Sequence, residues 1–334
     1  MVDQDSILSR KWLSAMTGSP RSGRSALAID NDAADDVADI YNQAGDDYGA
    51  YADGDPSQPF AFDGMHAYAD RCVWDVLETR LADLRASGAR SLRFLDAGCG
   101  PGTWLRRLVM RAHALGFTSI TARGFDIAQA QIQRARLAAR NLSGLPGVSL
   151  TFDVADLSDR LPEPDCSVDI TLCLYSALSH LPIERLTDIA TEIARVTSGH
   201  FITTVRPIGS TPTAFVDSVE SVRRLKHDHI KDRCEIDLCD GRHMAFGFHL
   251  FTAVELRSHF AGNFEIEDLR GLDLFHSRFT PDSRWNPVLQ ADDSHFAHEL
   301  ERLEKAYAAS AEFMDRATHL LLVARGRRTV TRLK

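Results

Sequence analysis

Apolar residues along this chain recur in two rhythms. Over residues 65–86 they return every three or four positions, as Tyr68, Cys72, Trp74, Leu77, Leu81 and Leu84, which places them on one face of a helix ending near Gly88. Short apolar runs then alternate with amphipathic ones. Strands are predicted to start at Leu92 and over 119–125, 148–152, 168–174 and 200–205, with helices over 103–115, 128–141 and 183–196 between them. The run 168–174 is apolar almost throughout once Asp169 is set aside, as expected of a central strand buried on both faces. Strand-then-helix units in series, with no longer internal repeat, predict an α/β fold: a doubly wound, mostly parallel sheet with right-handed crossovers.

Beyond Arg206 the rhythm breaks. Residues 213–229 read as helical, and 234–239 and 243–250 read as strands flanking Asp240-Gly241, a strong hairpin signal. A helix over 253–260 and a strand over 264–272 return to the sheet. A Pro- and Asp-rich excursion follows His276, then a helix at about 296–315 and a last strand over 318–324. The chain therefore divides into a segment 1–36 too poor in large apolar residues to fold alone, and expected to be mobile, a helical arm 37–91, a core 92–206, a cap 207–260 with its hairpin, and a closing part 261–334 with an inserted helix.

Composition narrows the function. The formal charge of −9 over 334 residues disfavours nucleic acid as a partner, although the end of the chain, Arg325 to Lys334, is locally basic. The absence of a long apolar run or a signal-peptide pattern predicts a cytoplasmic protein with no membrane partner. The six cysteines contain no CxxC pair and are expected to be free thiols. His227, His229, Cys234 and Cys239 follow no common zinc spacing, so no metal is expected.

The chemistry concentrates at LRFLDAGCGPGTWL, residues 92–105. Asp96 ends a strand, Gly98, Gly100 and Gly102 alternate, and an amphipathic helix begins. Alternate glycines let a ligand approach the backbone without β-carbons in the way, while the new helix directs N–H groups at it. A dinucleotide fingerprint would need glycine where Thr103 stands. An acidic strand end would repel a pyrophosphate but suits an ammonium or sulfonium. The next strand ends at Asp126, 24 residues after Gly102, and the third leads to Asp153 and Asp156. In open α/β sheets such strand ends face one ligand crevice, although Asp126 also has the position of a helix N-cap.

On these residues the chain resembles the class I S-adenosylmethionine-dependent methyltransferases over 92–206. The resemblance implies a Rossmann-like seven-stranded sheet whose last strand enters antiparallel between the fifth and sixth. It implies S-adenosyl-L-methionine as cofactor, with Asp96, Ala97, Gly98, Gly100 and Gly102 at its methionine end. Asp126 and Ile127 would lie at the ribose, Asp156 and Leu157 at the adenine, and Leu174 beside it. Tyr41 and Tyr48 either pack a short helix or belong to a lid over the cofactor. His180, Tyr175 and Arg206, past the ends of the fourth and fifth strands, are the candidates for touching the acceptor, with His249 and His276 behind them. A histidine can deprotonate an ammonium or hydroxyl, and an arginine would suit an anionic group. The expected activity is methyl transfer to nitrogen or oxygen of a small molecule, in specialised metabolism, by a monomer or homodimer. A protein or RNA methyltransferase, a cofactor-sensing module and a misread dehydrogenase are the alternatives.

Overall fold

A computed structural model describes residues 32–53, 57–62, 64, 66–212, 222–276 and 294–327. Most of the segment expected to be mobile, 1–31, and part of the predicted 213–229 helix lie outside them.

Seven strands form one sheet: β1 (Ser91–Ala97), β2 (Ser119–Asp126), β3 (Val148–Val154), β4 (Val168–Cys173), β5 (Thr197–Val205), β9 (Phe264–Leu272) and β10 (His319–Gly326). Their spatial order is β3-β2-β1-β4-β5-β10-β9. The first five run parallel, and β10 enters antiparallel to both β5 and β9, as the resemblance implies. Alternation decides the faces. On β1, Leu92 and Phe94 join the core beneath α2 (Ala67–Ala86), α3 (Thr103–Ala114) and α4 (Gln129–Ala138). Leu95 and Ala97 face the opposite core, under α5 (Leu186–Val196) and α6 (Ala253–Ala261). The antiparallel β10 is buried on both faces too: Leu321 and Val323 point one way, Leu320 and Leu322 the other.

The remaining elements stand off this sheet. Helix α1 (Asp32–Asp53) is longer than the arm pattern suggests, and Val37 and Ile40 pack on Cys234, Ile236, Leu238 and Phe246 of a small antiparallel sheet. That sheet is β6 (Val222–Asp228), β7 (Arg233–Leu238) and β8 (His243–Gly247), with the expected hairpin turn at Asp240-Gly241. The helical reading of 213–229 is corrected here: residues 222–228 are an edge strand. Its charged residues suit a helix surface as well as a strand edge, and cross-strand pairing decides. Arg224 lies 3.6 Å from Asp237 and Lys226 3.4 Å from Glu235. The single helix expected over 296–315 is two, α7 (Ser294–Tyr307) and α8 (Ala311–Met314), separated by a turn at Ala308. Among the described residues no helix is long and apolar enough to cross a membrane.

Candidate active site

The glycine turn folds as its spacing demands. Gly98 and Gly102 have φ of 72° and 76°, where a side chain would be strained. A β-carbon on Gly98 would lie 2.6 Å from that of Ala177, and one on Gly102 would lie 2.6 Å from the Phe152 ring. The N–H groups of Gly98 and Cys99 both donate to the Phe125 carbonyl, at 2.9 Å each, which ties the turn to the tip of β2. Gly100 N–H instead donates to Asp126 Oδ2 at 2.9 Å, and Ala128 N–H donates to Oδ1 at 2.9 Å. Asp126 thus joins the turn to Ala128, the residue that N-caps α4, and is not itself the N-cap. Asp96, 2% exposed, is steadied by the Leu105 N–H in the first turn of α3. Burial first, and Asp126 second, push its carboxyl up to about 7. Burial also raises Asp126.

The third strand tip is adjacent. Ala155 N–H donates to the Asp126 carbonyl at 3.1 Å, so Asp156 follows one residue on, its Oδ1 accepting from Ser158 N–H at 2.7 Å. Leu157 is buried beside it. Asp153, by contrast, is held by Arg123 at 3.0 Å.

Helix α1 crosses over this turn. Its Asn42 side chain accepts from Ala130 N–H at 2.9 Å, and Gln131 donates to the Tyr41 carbonyl at 2.9 Å, so α1 is bound to the start of α4. At its other end Asp53 accepts from Thr103 and Arg106, at the start of α3. Between these fixings Tyr48 stands 3.5 Å from where a β-carbon of Gly100 would be. Ile127 packs on the same side, with Tyr41.

His180 takes part in a clasp. Its Nδ1 is 3.1 Å from the Gly247 carbonyl, which can only accept, so Nδ1 carries the proton and Nε2 accepts from the Tyr41 hydroxyl at 3.1 Å. Burial lowers its pKa to about 4. Both ring nitrogens are therefore engaged in joining α1, β8 and the turn after β4. Arg206 is buried at the end of β5 and donates to the Thr318 carbonyl at 3.1 Å.

Tyr175, just past Leu174, points instead toward α2, and its hydroxyl donates to Asp70. Its ring stacks on Trp104 at 5.9 Å and on His66 at 6.4 Å, and meets His319 edge-on at 5.4 Å. His66 Nδ1 is 3.8 Å from Asp273 Oδ2. His66, Asp70, Asp273 and His319 escaped the sequence reading. Asp273 had a usable signal, following a strand end as Asp126 does. His319 was hidden by sitting inside a predicted strand, whose antiparallel entry brings its first residue to the carboxyl edge of its neighbours.

The weaker candidates lie apart from one another. His249 pairs with Asp232 at 2.7 Å and Glu255 at 3.1 Å, and His276 stacks on Tyr68 at 4.3 Å. His227 and His229 touch, but among the described residues no group of three or more histidine, cysteine or acidic side chains is placed to hold a metal. All six cysteines are free thiols.

Residues 94–199 match the family model described as a methyltransferase domain. No curated protein matches the chain. Among solved structures, magnesium protoporphyrin IX methyltransferase from Synechocystis PCC 6803, bound to S-adenosylmethionine, is similar at 16% identity and a TM-score of 0.48, covering 91% of this chain and 100% of that one. Geranyl diphosphate C-methyltransferase from Streptomyces coelicolor A3(2) gives 18%, 0.46, 90% and 100%. The cyclase SpnF gives 19%, 0.47, 91% and 99%. The matched segment, residues 94–199, holds the glycine turn and runs from β1 into β5, and it is similar to a methyltransferase domain over that length.

Proposed function

We propose that this protein transfers a methyl group from S-adenosylmethionine to a nitrogen or oxygen of a small molecule in specialised metabolism. The carrying observation is the pair Asp96, buried, and Asp126, half-buried, at neighbouring strand ends, steadied by backbone N–H groups of the glycine turn and of two helix starts. A buried carboxyl raised by burial and by a second carboxylate beside it favours a positively charged ligand. The positive-φ glycines leave room for it directly against the backbone.

On this reading Asp96, Ala97, Gly98, Gly100 and Gly102 hold the methionine end, and Asp126 with Ile127 holds the ribose. Asp156 and Leu157 receive the adenine, Leu174 borders the ligand, and Tyr41 and Tyr48 cover it from α1. When bound, the sulfonium supplies an activated methyl group, which leaves a neutral thioether behind. The chain's own task is then alignment and exclusion of water, and positioning of this kind contributes about 7–11 kcal/mol. Helix α1, fastened at both ends across the turn, is suited to that exclusion.

A small acceptor is favoured by the acidic charge and by the cover that α1 and the small sheet form. The test is mass spectrometry of a whole-cell extract, incubated with the protein and methyl-labelled S-adenosylmethionine and then separated into low-mass, protein and RNA fractions. Label is expected in a low-mass compound; label confined to the protein or RNA fraction would overturn the small-molecule reading.

A further inference from the structure

Four rings line up along the edge of the sheet, in the order Phe62, Trp104, Tyr175 and His66. Successive centroids are 6.0, 5.9 and 6.4 Å apart, with interplanar angles of 16°, 29° and 25°. The row passes beside the cofactor turn at its second ring, because Trp104 lies in the first turn of α3, directly after Gly102 and Thr103. It ends at His319, which stands perpendicular to both Tyr175 and His66.

The backbone is strained along this row. Among the described residues six non-glycine positions have positive φ, and four of them are Phe62 (48°), Tyr175 (51°), Ser176 (72°) and Asp273 (60°). Such conformations are costly and persist where the surroundings require them, often at ligand sites. Charge is balanced beside the row. Asp70 is influenced by Arg107, whose guanidinium lies over Phe62 and Trp104, while Arg206 acts on His319. Two carboxylates and two guanidiniums leave no net charge to attract an ammonium or a carboxylate, so a neutral, flat acceptor fits best.

Resting on the methyltransferase reading above, we propose that the acceptor is a neutral hydroxyaromatic compound seated against this row, and that His66, backed by Asp273, takes the proton from its hydroxyl. The O–H bond breaks, its proton goes to the imidazole, and the electron pair left on oxygen forms the new bond to the methyl carbon as the bond from carbon to sulfur breaks. His66 lies at the N-cap of α2, the end of a helix that disfavours a cation, so an imidazolium there depends on the Asp273 carboxylate 3.8 Å away. The His66 side chain is 19% exposed and can pass the proton on to water, whereas Asp273 is 2% exposed. Tyr175, its hydroxyl committed to Asp70, is a positioning residue that fixes the plane of the row.

Binding is tested on the full chain saturated with S-adenosylhomocysteine, using saturation-transfer NMR with 4-ethylphenol and phenethylamine. Binding of the phenol at least tenfold tighter than the amine is expected; no phenol binding, or a preference for the amine, overturns the proposal. Failure of S-adenosylhomocysteine itself to bind would instead strike the methyltransferase reading. With labelled S-adenosylmethionine, wild-type protein should methylate 4-ethylphenol, and His66→Gln should lower kcat at least 100-fold while changing S-adenosylhomocysteine affinity less than threefold. Asp273→Asn should shift the rising limb of the pH–rate profile that His66→Gln abolishes. The groups facing His66 are Asp70 from α2, Tyr175 after β4, Asp273 after β9 and His319 on β10, with Arg206 after β5 acting on His319. Phenol bound but not methylated, or an unchanged kcat and limb in His66→Gln, removes His66 as the base. The wild-type preference needs no variant, so misfolding of a mutant leaves that test standing.

Discussion

The glycine turn and the ring row meet at Trp104 but are assembled in opposite ways. The turn is contiguous from Asp96 to Thr103, and its conformation follows from local sterics: positive φ at glycines, a helix start and a strand end. The row draws Phe62, His66, Trp104, Tyr175 and His319 from separate segments and places strained, non-glycine residues among them. A ligand shared by a whole class of enzymes can be met by one short motif. An acceptor that differs between enzymes is met by side chains brought together only by the fold.

If the turn is as sterically determined as this contrast holds, the largest effect should come from adding a methyl group to it. Gly102→Ala places a β-carbon 2.6 Å from Phe152 at a φ of 76°, and a loss of roughly 2–5 kcal/mol in denaturant unfolding is expected. Gly88→Ala is the control: its φ is 90° but its surroundings are open, so only about 1–2 kcal/mol should be lost. Equal losses would show that crowding at the turn is not what selects glycine.

Next in size, Asp126→Ala should weaken S-adenosylhomocysteine binding by about 1.5–3 kcal/mol, typical of lost hydrogen bonds to a charged group. Calorimetry on a folded variant checks this, and unchanged affinity would remove Asp126 from the ligand. Asp96 gives a pH signature. Its folded-state pKa, about 7, lies above the unfolded value, so the carboxyl favours folding most at low pH. That contribution declines as pH rises from about 4 to about 7. The α-ammonium of S-adenosylhomocysteine prefers the ionised form, so its affinity should rise by up to about tenfold between about pH 6 and 8. Asp96→Asn should flatten the rise.

The smallest effect belongs to the clasp that closes α1 over the turn. Tyr41→Phe removes one hydrogen bond to His180 and should cost about 1 kcal/mol in unfolding. His180 has a folded pKa of about 4, below the unfolded value, so its contribution is complete above about 6.5 and is lost as pH falls toward 4. Tyr41→Phe leaves the His180 ring buried, so stability measured across that range should show the same acid loss as wild type, offset by that constant cost.

The same contrast accounts for what the amino-acid sequence disclosed. Short apolar runs alternating with period-3.6 patterns revealed the parallel strands, and the Asp240-Gly241 turn revealed its hairpin, because each signal is local. β6 was misread since Arg224 and Lys226 carry no strand preference of their own and depend on Asp237 and Glu235 across the ladder. At the site, Asp96, Asp126 and the three glycines were legible from spacing alone. His66 and Asp273, more than two hundred residues apart in the chain, become neighbours only through the packing of α2 against the end of β9. His180 looked available because it follows a strand end; the structure gives its nitrogens to Tyr41 and Gly247.

The most direct test is calorimetric titration of the unmodified protein with S-adenosylhomocysteine and, separately, with NAD. Saturable one-site binding of the sulfur nucleoside and none of the dinucleotide is the predicted result. NAD binding, or no heat with S-adenosylhomocysteine from a folded sample, would contradict the claim that Asp96, Asp126 and the glycine turn form its site.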